Sequence, residues 1–216
     1  MKRFLNLLSI FVLLLGLSGV ANATIINYNY ALGDGGYTSP YSGVTVYTFD
    51  GTPNLLWLGN GQVVNGSESG LYAAPYGPSG QDLTNYLAVP ATEGSGSVKV
   101  FLPNVVNNYL GLWWGSVDSY NTISFYNAGI EVASFTGTQA INPSSANGNQ
   151  TAPSTNLYVN FLGLPNFNEF VLTSTQYAFE VDNIAVGEVP VPEPATMLLL
   201  GLGLIGLAGA RRKLKK

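Results

Sequence analysis

Apolar and polar residues alternate repeatedly in short runs between the two ends of this chain, and a period of two points to β-structure. Val44-Thr45-Val46-Tyr47-Thr48-Phe49 is one such run and Ser97-Val98-Lys99-Val100-Phe101 another. Successive strand residues point to opposite faces, so each run buries one face and wets the other. Tyr109-Leu110-Gly111-Leu112-Trp113-Trp114 is apolar throughout, which suits a central strand. Thr122-Ile123-Ser124-Phe125-Tyr126 and Ile130-Glu131-Val132-Ala133-Ser134-Phe135 flank Asn127-Ala128-Gly129. That spacing predicts a hairpin with a three-residue loop of the type I turn plus bulge class. Further strands are predicted over residues 156–161, 169–173 and 177–186. No stretch between residues 24 and 189 carries a sustained helical period. Residues 136–155, rich in Ser, Thr, Asn and Gly with two prolines, predict a long surface loop. The whole predicts an all-β fold, an antiparallel β-sandwich of jelly-roll type, over residues 24–187.

The two ends break the pattern and read as addresses. Lys2 and Arg3 precede a mostly apolar stretch over residues 5–17, and Ala21-Asn22-Ala23 has the small-x-small form of a cleavage site. This predicts a signal peptide over residues 1–23. At the other end, residues 195–210 carry no charge. As a helix at about 1.5 Å per residue they would span ~24 Å, against a hydrocarbon core of roughly 30 Å. Snorkelling basic side chains close such a gap. Five of the last six residues, 211–216, are Lys or Arg, as expected of a cytoplasmic tail behind a single transmembrane helix. Residues 188–194 form a linker in which Pro190, Pro192 and Pro194 keep the backbone extended and open to a protease.

Pro192-Glu193-Pro194, the apolar run and the basic cluster, in that order, resemble the PEP-CTERM sorting signal of bacterial surface proteins. The membrane enzyme exosortase recognises that signal. The resemblance implies exosortase as partner, a transient hold in the inner membrane and cleavage near Pro194. It also implies transfer to the cell surface or extracellular matrix of a Gram-negative, exopolysaccharide-producing bacterium. Residues 112–135, with Phe179-Glu180-Val181-Asp182-Asn183-Ile184, resemble a set of exosortase-dependent surface proteins. That second resemblance implies a sandwich and a surface location, and assigns no biochemical activity.

Charge narrows the function classes. All 12 acidic residues lie in residues 24–194, with Lys99 the one basic residue beside them, so this body has a net charge of −11. It would be repelled by nucleic acid, whose recognition depends on Lys and Arg at phosphates. Anionic membrane surfaces are poor partners for the same reason. The chain has no cysteine and no histidine. Disulfides, thiol nucleophiles, Cys/His zinc sites and Ser-His-Asp triads are therefore unavailable.

Three groups of residues are candidate sites. Asp182-Asn183 resembles the last-strand acidic pair of carbohydrate-binding jelly rolls, where a structural calcium often ties the last strand to the start of the chain. The matching positions here are Asp182 and, more loosely, Asp50. The other reading is that Asp182 and Asn183 bond the backbone at a strand end. Trp57, Trp113 and Trp114 could stack on sugar faces, or they could be core. If their strand is regular, Trp113 and Trp114 point to opposite faces, one inward and one outward. Glu131, Glu180 and Asp182 are the carboxylates a glycosidase pair could draw on.

The expected function is that of a non-enzymatic surface or biofilm-matrix protein, adhesive or structural, processed by exosortase. A glycan-binding module for exopolysaccharide is the alternative, and a carbohydrate-active enzyme a third.

Overall fold

The computed structural model describes residues 23–33, 35–104, 106–190, 201 and 203. Sixteen strands run through them, and the first eight are short: β1 (Ile25–Asn27), β2 (Ala31–Leu32), β3 (Tyr37–Thr38), β4 (Thr45–Tyr47), β5 (Leu56–Gly59), β6 (Gln62–Asn65), β7 (Tyr76–Gly77) and β8 (Gly80–Gln81). The remainder are longer: β9 (Asn85–Val89), β10 (Gly96–Phe101), β11 (Tyr109–Gly115), β12 (Asn121–Asn127), β13 (Ile130–Thr136), β14 (Leu157–Leu162), β15 (Glu169–Ser174) and β16 (Phe179–Gly187). A short helix, α1 (Gly137–Ala140), follows β13.

The large sheet has the order β1-β14-β11-β16-β9-β6, with β4 also paired to β16. The smaller sheet is β13-β12-β15-β10-β5, and β2–β3 and β7–β8 are separate ribbons. Every one of these pairings is antiparallel. The two large sheets share one core in a sandwich-like arrangement. Leu112 and Trp114 of β11 and Phe161 of β14 belong to the same buried cluster as Val100 of β10, Phe125 of β12 and Leu172 of β15. Trp114 stacks on Phe179, with ring centroids 4.3 Å apart.

The alternation in β16 is reset by a bulge. Between the Gly111–Ala185 and Trp113–Asp182 pairs, β16 carries one residue more than β11. Asn183 sits there at φ +48°, a left-handed conformation that asparagine tolerates better than most residues. Phe179 and Val181 face the core before the bulge, and Ile184 and Val186 after it. Glu180 and Asp182 are thereby turned to the outer face of the large sheet.

That outer face is covered. β11 is buried at all seven positions and β16 at all nine. Tyr37 meets Trp113 edge to face at 5.6 Å. Gly36 and Gly77 lie against the same indole, and an added Cβ would fall 2.4 Å and 3.1 Å from its nearest atoms. A polar network fastens this cover. Tyr109 donates to Asn160 Oδ1 (2.8 Å) and is bonded to Ser39 Oγ (2.7 Å), while Asn160 Nδ2 donates to Asn27 Oδ1 (3.0 Å) and the Asn29 carbonyl (2.7 Å).

Two local expectations are corrected. The β12–β13 connection is a two-residue loop, because Asn127 pairs with Ile130. Ala128 and Gly129 both have positive φ, as a type I′ turn requires and a type I turn does not. The bulge lies deeper in the hairpin, at Phe125 and Tyr126. Residues 136–155 are more than a surface loop. They contain α1, and Ala140, Ile141 and Ala146 are buried in the core cluster.

The sorting residues Pro192, Glu193 and Pro194, the leader with Ala21, the apolar run and the basic tail lie outside the described residues, apart from helical Gly201 and Gly203. Ala23 is exposed and precedes β1. Among the described residues no helix is long and apolar enough to cross a membrane.

The cover over Trp113 makes a prediction. Gly36→Ala forces a methyl into the indole and should cost ~1–3 kcal/mol, as overpacking does. Gly51, where an added Cβ meets nothing within 4 Å, is the control. Urea denaturation should show a lower midpoint for Gly36→Ala and one near wild type for Gly51→Ala; equal midpoints would mean the cover is not packed as described.

Candidate functional site

A polar cleft of about 140 Å³, partly open to solvent, lies at the edge of that cover. Glu180, from the outer face of β16, is one of its walls and is buried. Its carboxylate is held from two directions. Ala73 N–H donates to Oε1 at 2.9 Å, and the Ser116 hydroxyl donates to Oε2 at 2.9 Å. Ala73 belongs to the segment before β7, and Ser116 follows β11 directly at φ +39°. Asn156 Oδ1 accepts from both Ser116 N–H and Tyr76 N–H at 3.0 Å, which fixes the two segments to each other.

Asp118 and Tyr120, in the β11–β12 connection, line the cleft, as do exposed Glu68 and Gln150. Tyr120 donates to the Tyr177 carbonyl at 2.8 Å, and Tyr72 and Tyr177 are also in the lining. No Lys or Arg lines it.

Burial raises the Glu180 carboxyl from its usual 4.5 to about 7. The bonds from Ala73 and Ser116 oppose that rise, and the charge of Asp118 adds to it. Asp118 is itself raised by burial, against the pull of the Tyr120 hydroxyl. Tyr120 is pushed upward, first by burial and then by the neighbouring Asp118 carboxylate. The cleft thus pairs a carboxyl that titrates near neutrality with a second carboxyl and a neutral phenol. Chemically it accepts hydrogen bonds and attracts positive charge.

The expected site residues are dispersed. Trp114 is in the core and Trp113 is under the cover, both fully buried. The two rings do point to opposite faces, but the expectation that one meets solvent fails because residues 36–37 and 77 roof the outer face. Trp57, on edge strand β5, is half-buried against the core. Asp50 is exposed after β4 and accepts the Asn85 N–H at 2.9 Å. Asp182 is buried on the outer face of β16. Asn183, in the middle of β16, donates from Nδ2 to the Tyr37 carbonyl at 2.9 Å. Among the described residues no group of three or more Asp or Glu is arranged to hold a metal ion. Glu131 is exposed on β13 of the other sheet, where it accepts from the Tyr126 hydroxyl, and so takes no part in the Glu180 cleft.

Ser116, Asp118 and Tyr120 were not anticipated. Their signal is a polar turn, Gly115-Ser116-Val117-Asp118, immediately after the most apolar strand.

A second feature stands on the solvent face of the smaller sheet. Lys99 pairs with Glu169 at 2.6 Å and lies 5.6 Å from the ring centroids of both Phe101 and Tyr126. Leu56 and Leu58 of β5 are exposed beside it, in register with Phe101 and Lys99.

The titration of Glu180 makes stability depend on pH. The folded chain holds this proton up to about pH 7, while an unfolded one releases it near 4.5. The contribution of Glu180 is therefore neutral below 4.5 and becomes increasingly destabilising as pH rises to 7, by ~3 kcal/mol in all. The stability of wild type minus that of Glu180→Gln should fall across this window. A difference that stays flat from pH 4 to 8 would contradict the assignment.

No match is found among curated protein sequences. Among solved structures, the chain is similar to an exo-β-1,3-galactanase of Phanerochaete chrysosporium bound to a galactotriose, at 18% identity and a TM-score of 0.35. The alignment covers 67% of this chain and 29% of that one, so the chain spans less than a third of the enzyme's length. At that score the likeness carries no argument. The tail is specific. Residues 190–213 match the PEP-CTERM protein-sorting motif, and by that motif this is an exosortase-sorted extracellular surface protein.

Proposed function

We propose that this chain is a surface or biofilm-matrix protein with an adhesive or structural, non-enzymatic role. In this reading residues 195–210 hold it in the inner membrane, exosortase cuts near Pro194, and the body passes to the surface or matrix of a Gram-negative bacterium. The body is then a sandwich of jelly-roll type. The match of residues 190–213 to the sorting motif carries the reading. A body of net charge −11 is consistent with it, because like-charged bodies stay dispersed outside the cell.

A second reading, a glycan-binding module for the cell's own exopolysaccharide, is favoured by the Glu180 cleft. Its carboxylates and tyrosines suit hydroxyl-rich ligands. Turnover of exopolysaccharide by the purified chain, abolished in Glu180→Gln, would replace both readings with a hydrolytic one.

The sorting step is tested in exosortase-competent cells. Mass spectrometry of the wild-type surface fraction should find no peptide from residues 195–216. Replacing Pro192, Glu193 and Pro194 by alanine should leave the full chain in the inner-membrane fraction. A surface form that retains the tail would overturn the proposal.

A further inference from the structure

We infer that the Glu180 cleft is a saccharide end-group site, selective for neutral and amino sugars over uronic acids. The inference rests on the glycan-binding reading and adds to it a location and a ligand class.

Size is the first argument. The cleft holds about 140 Å³, small beside the roughly 300–1,000 Å³ of pockets for drug-sized ligands. A recess of that size admits a single sugar unit rather than a length of polymer. A terminal residue fits this shape.

Hydrogen-bonding capacity is the second. A carboxyl group offers about four acceptor positions when ionised, and one donor with the remaining acceptors when it holds its proton. Glu180 receives Ala73 N–H on one oxygen and the Ser116 hydroxyl on the other, and Asp118 adds a second carboxylate at the wall. Sugar hydroxyls supply the donors this arrangement lacks. The walls also carry Tyr72, Tyr120 and Tyr177, rigid amphipathic side chains that offer an apolar face and a polar tip at low entropic cost.

Charge is the third, and it sets the specificity. Glu68, Asp118 and Glu180 line the cleft with no Lys or Arg among them. Lys99 lies on the other sheet, paired with Glu169. A uronate brings its own carboxylate against these three and is rejected, whereas a hexosamine brings an ammonium they attract.

The test uses the ¹⁵N-labelled full chain in phosphocholine-detergent micelles, which present no sugar headgroup. Glucose, galactose and mannose are each titrated beside their amino and uronate forms. At least one neutral or amino sugar should shift the Ala73, Ser116 and Gly148 amides, with the matching uronate binding at least tenfold more weakly. Glu180→Gln and Asp118→Asn should each weaken binding about tenfold or more, and Lys99→Ala should not. The wild-type shifts decide the location even where a variant fails to fold. Shifts at Lys99, Phe101 and Tyr126 instead, or a uronate that binds as tightly as its parent, overturn the site. Binding of intact exopolysaccharide with no monosaccharide binding also overturns it, and leaves the glycan reading standing. If neither polysaccharide nor monosaccharide binds, the glycan reading falls with it.

Discussion

The cover over the outer face of the large sheet is the constraint on which the rest of the structure depends. An antiparallel sheet commonly packs on one face and leaves the other to water. Here β11 and β16 are buried on both. The outer side holds an indole, two tyrosines and Asn160, and none of these is exposed. The indole needs apolar cover and the amide needs partners. The segment from Asn27 to Tyr41 supplies them through its bonds to Asn160 and Tyr109, and a second segment brings Pro75 over Gly115 and Gly77 over Trp113. The short strands β2, β3, β7 and β8 exist because these two segments lie on a sheet and pair with themselves at its margin. Where the cover stops, the outer face opens, and the cleft is that opening.

This geometry explains why a carboxyl is buried at Glu180. A strand at the centre of a sandwich would be more stable with an apolar side chain there, because burying a carboxylate costs more than two hydrogen bonds return. The raised titration point of Glu180 is that deficit seen as a proton equilibrium. A buried carboxyl that lowers stability on the wall of a cleft is a candidate for binding rather than for packing. The bulge at Asn183 has the complementary role. Without the extra residue, Ile184 and Val186 would leave the core, and the strand could not present Glu180 outward and keep its far end buried.

Much of this architecture is legible in the residues, and what is hidden has a physical cause. Uniform apolarity marks β11 as central because burial on both faces removes the alternation. The β12–β13 hairpin is legible from its pattern, but its turn class is not: it depends on whether Asn127 joins the ladder, which side-chain types do not decide. The short strands β5, β6 and β9 are not anticipated, since a run of four or five residues offers little periodicity to detect. The tryptophan pair shows the deeper limit. Period two places Trp113 and Trp114 on opposite faces, which is correct, but whether the outer face is wet depends on residues 36, 37 and 77, far away in sequence. The cleft is hidden for the same reason. Glu180 is legible as an outward carboxylate of the last strand, whereas Asp118 and Tyr120 join it through a connection more than fifty residues earlier, and spacing along the chain carries no trace of that meeting.

The distribution of charge ties the body to its ends. Basic residues are concentrated at the two ends: two before the first apolar stretch and five after the last. Flanking cations of this kind set orientation by staying on the cytoplasmic side. The body between them holds Lys99 alone, and its ammonium is engaged by Glu169 and two aromatic rings. The same poverty of cations leaves the cleft with carboxylates and no basic partner. An unpaired anionic recess is a weak site for polyanions and a favourable one for ligands that donate hydrogen bonds or carry positive charge. The partition that suits the chain to export therefore also biases what its surface is able to hold.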